Sequence, residues 1–156
     1  MITAIAALAA GCFWGVEVQF RRVNGVLSTR VGYTGTSSDP DYKAVCTGET
    51  GHAEAIEISF DDKILSFSDL LAIFWKLHNP TTLNRQGPDR GTQYRSAIFY
   101  RDAQQKQQAE SSKQALAGLG YYPAPIVTEI TPAETFYPAE DYHQCYIEKK
   151  GLGSCH

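Results

Sequence analysis

No apolar run in the 156 residues is long enough to cross a bilayer, so a membrane protein is not expected. Charge is balanced to a net -3 with no basic block, so neither nucleic acid nor an anionic membrane is expected as a partner. No Cys-x-x-Cys pair occurs, and the four histidines and four cysteines show no zinc-ligand spacing, so no metal site and no bound cofactor are expected. The apolar stretch after Met1 has no Lys or Arg near its start and is too short for a secretion signal with its flanks, although Ala9-Ala10-Gly11-Cys12 faintly resembles a lipoprotein cleavage site. A reducing, cytoplasmic setting is therefore expected rather than a disulfide scaffold. Repeats, low-complexity tracts and interdomain linkers are missing too. A single domain over residues 1–156 is expected, with 151–156 as a flexible tail.

What is present is an alternation of strand and helix patterns. Strands are expected at about 3–9, 27–33, 53–60, 95–100 and 126–130, and helices at about 13–23, 66–77 and 102–117, followed by a C-terminal helix opened by Pro138. Ser66 or Ser68 suits the N-cap of the second helix, Pro80 ends it, and Asp102 suits the N-cap of the third. This order predicts an α+β, two-layer sandwich: a ferredoxin-like split β-α-β core with helices packed on a mixed sheet. Residues 34–51 and 79–94 form two long connections, and the second is expected to be an ordered site loop.

Cys12 falls between the first strand and the first helix, in Gly11-Cys12-Phe13-Trp14-Gly15. Most cysteines at strand ends are inert core residues. At a helix N-terminus, however, unpaired backbone N–H groups favour the thiolate and so a nucleophile. Phe13 lies on the core stripe with Val16, Phe20 and Val23, whereas Trp14 lies off it and is the better pocket residue. In the third strand, alternation puts Glu54 on the face of Ile56, Ile58 and Phe60. A carboxyl buried there favours its protonated form and becomes a proton donor. The alternative is that Glu54, at the strand end, reaches water or an arginine. Tyr42 and Tyr94 in the long connections are neutral hydrogen-bond donors, but with nine tyrosines in the chain position alone does not select them. Asp89 suits a turn.

Together these segments resemble the type A peptide methionine sulfoxide reductase family over nearly the whole chain. The motifs are Gly11–Gly15; Thr50-Gly51-His52-Ala53-Glu54-Ala55; Asn84 to Ser96 with Gln86, Gly87, Asp89, Gly91, Gln93, Tyr94 and Arg95; and Ala139-Glu140-Asp141-Tyr142-His143-Gln144. Thr36 after Gly35, Asn79 after His78, and Cys145 after Gln144 depart from the usual pattern. The resemblance implies reduction of the S epimer of methionine sulfoxide, free or in oxidised proteins, with thioredoxin (or dithiothreitol in vitro) as external reductant. It implies Cys12 as nucleophile, a methyl pocket of Phe13 and Trp14, and an oxygen site of Glu54, Tyr42 and Tyr94. Asp89 joins the substrate-binding residues by the same resemblance. Attack leaves Cys12 as a sulfenic acid. Cys155, on the glycine-rich tail, is the expected resolving cysteine; Cys145 is a possible second one, and Cys46 is read as structural. A monomer is expected. Two other classes fit the residues less well: a cysteine hydrolase using His143 or His156, and a redox-responsive binding protein without turnover.

Overall fold

The computed structural model describes residues 3–11, 13–34, 53–86, 89–120, 122–133 and 136–139. Eight strands and three α-helices lie within them. The strands are β1 (Thr3–Ala10), β2 (Val26–Thr34), β3 (Ala53–Asp61), β4 (Arg85–Gln86), β5 (Asp89–Arg90), β6 (Ser96–Tyr100), β7 (Glu129–Pro132) and β8 (Tyr137–Pro138). The helices are α1 (Phe13–Arg21), α2 (Phe67–Leu77) and α3 (Ala103–Gly118), with a single 3-10 turn at Thr92–Tyr94.

The local signals act as expected in α2. Ser66 Oγ accepts from the Asp69 N–H and the Asp69 carboxylate accepts from the Ser66 N–H, each at 3.0 Å, so two otherwise orphaned donors are satisfied. Phe67, Leu70, Leu71, Phe74 and Trp75 then bury one continuous stripe. Asp102 caps α3 by accepting from the Gln105 N–H at 2.8 Å.

The six-stranded sheet runs β7-β6-β1-β3-β2-β8; among the described strands only β6 and β7 pair in parallel. β1 and β2 both run antiparallel to β3, which lies between them, so β1-α1-β2 is a split β-α-β unit. β3 and β6 likewise flank β1 and are joined through α2. Right-handed crossovers of two interlocked units put their helices on one face. That face carries the larger core, with Val16 and Phe20 of α1, the α2 stripe and Ala109 of α3 against Leu8, Val31, Ile56, Ile58 and Ile98. The opposite face is mostly small: Ala7, Ala9, Ala53, Ala55 and Ala97 with Phe99.

Three expectations need correction. Pro138 does not open a helix; it lies in β8 opposite Gly32, at the sheet edge where a missing N–H is tolerated. The predicted helix and tail beyond it fall in residues 140–156, outside the described residues. The strand expected from about 126 begins at Glu129, because the Val127 N–H donates to the Pro80 carbonyl at 2.8 Å instead of to a ladder. The β4–β5 hairpin was not foreseen, since two-residue strands carry no periodic signal.

Gly32 holds the β8 edge in place. A Cβ there would overlap the Tyr137 carbonyl oxygen and come within 2.8 Å of the Phe136 ring. Gly32→Ala is expected to cost about 1–3 kcal/mol of stability by overpacking. Urea unfolding checks this, and a midpoint equal to wild type would contradict it.

Candidate active site

One row of side chains crosses the helix-facing side of the sheet and is apolar throughout. Val31 lies opposite Ile56, Ile56 opposite Leu8, Leu8 opposite Ile98, and Ile98 opposite Ile130. One same-face step along, the row turns polar. Tyr137 lies opposite Tyr33, Tyr33 opposite Glu54, and Ala10 opposite Ser96. Ser96 Oγ is 2.7 Å from Thr128 Oγ1. Tyr33, Glu54, Ser96 and Thr128 are only 1–3% exposed. Glu54 therefore sits where its strand's alternation places it: on the core face, with Ile56 and Ile58 behind it.

This polar row marks the end of β1. The strand stops at Ala10, Gly11 turns with φ 97°, and α1 starts at Phe13. A positive φ of that size suits glycine and strains other residues. Cys12 occupies the two-residue connection in sequence but lies outside the described residues, as do Tyr42, Cys46, Cys145 and Cys155. Trp14, in the first turn of α1, is partly buried and packs against the larger core, so its ring contributes to the core as well as to this end of the sheet. Of Phe13 and Asp89 only the backbone is described: the first opens α1, the second pairs with Gln86.

Residues 79–86 are tied by their own side chains. Gln86 Oε1 accepts from the Asn79 N–H at 2.9 Å while Gln86 Nε2 donates to the Asn79 carbonyl at 2.7 Å. Asn79 Oδ1 accepts from the Thr81 N–H and hydroxyl at 3.0 and 2.6 Å. The Gly91 N–H donates to the Asn84 carbonyl and the Tyr94 N–H to the Gly91 carbonyl. The expectation of an ordered connection holds for these residues. Because Ser96 pairs with Ala10, the 3-10 turn carrying Tyr94 runs on past the end of β1 and lies against β3, the strand of Glu54.

A family model described as peptide methionine sulfoxide reductase matches residues 4–156. The chain belongs to that family. It is 57% identical over 148 residues to a peptide methionine sulfoxide reductase MsrA of Methanosarcina acetivorans, covering 94% of this chain and 79% of the relative. It is 54% identical over 151 residues to one of Geobacter metallireducens, covering 96% and 93%. Among solved structures, the reduced form of Mxr1 from Saccharomyces cerevisiae superposes with a TM-score of 0.90 at 34% identity, over 98% of this chain and 88% of that one. Methionine sulfoxide reductase A of Corynebacterium diphtheriae gives 0.85 at 38% identity, over 98% and 77%.

As a member of the methionine sulfoxide reductase family, the chain gathers at one sheet end the described residues that the sequence singled out: Glu54, Trp14 and the Tyr94 turn. Tyr33, Ser96 and Thr128 were not anticipated. Only the register between strands distant in sequence puts them in Glu54's row; the alternation of Val31 and Tyr33 was the one available signal. Among the described residues no group of three His, Cys, Asp or Glu is placed to hold a metal ion, and no helix is long and apolar enough to cross a membrane.

Gln86→Ala removes both bonds to the Asn79 backbone. A loss of about 1–3 kcal/mol is expected, with faster hydrogen exchange at the Asn79 amide. Exchange at the wild-type rate would contradict this account of the connection.

Proposed function

We propose that this chain is a peptide-methionine (S)-S-oxide reductase: it converts the S epimer of methionine sulfoxide, free or in oxidised proteins, to methionine. The burial of Glu54 in the polar row beside the end of β1 carries this reading, since it puts a proton donor next to the strand that leads into Cys12.

Burial disfavours the charged carboxylate. A charged Glu54 close to the thiol would oppose the thiolate; a neutral one does not, and it has a proton to give. The Cys12 sulfur attacks the sulfoxide sulfur as Glu54 protonates the oxygen. The S–O bond breaks with its electron pair on the oxygen, which adds as hydroxide to the Cys12 sulfur. The new S–S bond breaks in turn with its pair returned to the methionine sulfur, so methionine leaves as the thioether and Cys12 is left as a sulfenic acid. Tyr42 and Tyr94 donate hydrogen bonds to the oxygen, Trp14 and Phe13 enclose the methyl group, and Asp89 orients the substrate or its loop. Cys155 then attacks the sulfenic acid, forming a disulfide with Cys12 and releasing water; Cys145 is a second possible resolving thiol. A dithiol of the thioredoxin type reduces that disulfide by exchange and leaves oxidised itself. The chain works as a single-domain monomer in a reducing cytoplasm, with an external dithiol of the thioredoxin type as reductant.

Glu54→Gln is expected to slow single-turnover methionine formation by about 10²–10⁴, the usual worth of a positioned acid. An undiminished rate would remove Glu54 from the chemistry. After one turnover without reductant, peptide mapping is expected to find Cys12 joined to Cys155. Cys12 joined only to Cys145 would reverse the resolving assignment.

A further inference from the structure

Past Ser96 the polar row continues into hydrogen bonds that the reaction above does not use. His78 follows the last residue of α2 in an extended conformation, φ -153° and ψ 172°. Its ring is held at both nitrogens: Nδ1 is 2.8 Å from the Phe74 carbonyl oxygen and Nε2 is 2.6 Å from Ser96 Oγ. The Phe74 ring lies 4.5 Å away, and the Trp75 indole stacks on it at 6.4 Å with 13° between the planes. A carbonyl oxygen only accepts, so Nδ1 carries a proton. In a neutral ring Nε2 is then an acceptor and the Ser96 hydroxyl donates to it. Ser96 Oγ in turn accepts from Thr128. The chain has one direction: Thr128 to Ser96, Ser96 to His78, His78 to Phe74.

Its position ties it to the site. Ser96 is the partner of Ala10, where β1 ends, and it follows Tyr94 by two residues. His78 opens the connection that runs through Asn79 and Gln86 to Tyr94. One imidazole thus joins the end of α2, both ends of that connection and the approach to β7.

The geometry points to His78, as its Nδ1–H tautomer, as a positioning residue for sulfoxide reduction: through Ser96 it fixes Tyr94 and the end of β1 relative to each other. This rests on the reductase reading above. Misplacing reacting groups by about 1 Å can cost about 10²-fold in rate, so a loosened link is read in the chemical step.

Two measurements test it. Nitrogen NMR of the histidine rings in the wild-type protein at neutral pH is expected to show the His78 proton on Nδ1 and none on Nε2; a proton on Nε2 overturns the proposal whatever the activity. The second measurement compares variants. In His78→Asn the amide nitrogen takes the place of Nδ1 and the link to Ser96 is lost. In His78→Gln the amide oxygen takes the place of Nε2 and keeps an acceptor for Ser96. Single-turnover methionine formation is expected to fall about tenfold or more in His78→Asn, at unchanged half-saturating sulfoxide, and to stay within about threefold of wild type in His78→Gln. Ser96→Ala is expected to match His78→Asn, and the double variant to be no slower than either. Equal rates in the Asn and Gln variants, or additive losses in the double, overturn the assignment. A wild type that forms no methionine overturns the reductase reading with it, and that failure is seen before any variant is compared.

Discussion

Glu54 stands where a sheet would ordinarily place another isoleucine. Its strand alternates toward the helices, and Ile56, Ile58 and Phe60 continue the same face into the core. The carboxyl is 2% exposed. Removing an ionised carboxylate from water is costly enough that such groups stay protonated or find compensating partners. The rest of the site is arranged around that constraint: the apolar row behind it, the polar row beside it, and the end of β1 next to it.

The fold delivers this arrangement by interlocking two split β-α-β units about β1 and β3. Because β1 is central, its end is flanked by β3 and β6. Gly11, which follows β1, therefore leaves the sheet between the strand carrying Glu54 and the strand preceded by Tyr94. Glycine makes the exit possible: Gly11 takes the positive φ that turns strand into helix within two residues.

Much of this was legible in the sequence, for identifiable reasons. The α2 helix announces itself through a cap at Ser66 and five apolar residues at helical spacing. Glu54 could be assigned to the core face because strand alternation needs only its neighbours. Pro138 misled because proline suits both the first turn of a helix and the edge of a sheet, and only pairing with Gly32 distinguishes them. Ser96, Thr128, Tyr33 and His78 could not be grouped in advance. They are far apart in the chain, and what unites them is register across several strands, which no local pattern encodes. The family motifs, in contrast, singled out Glu54 and Tyr94 without any knowledge of that register.

The central claim is that Glu54 is a neutral acid in the resting enzyme, and its protonation can be observed directly. Infrared difference spectroscopy between wild type and Glu54→Gln at neutral pH is expected to show the C=O stretch of a protonated carboxylic acid in wild type that is lost in the variant. A difference spectrum containing only carboxylate bands would show that burial does not hold the proton there, and would contradict the account.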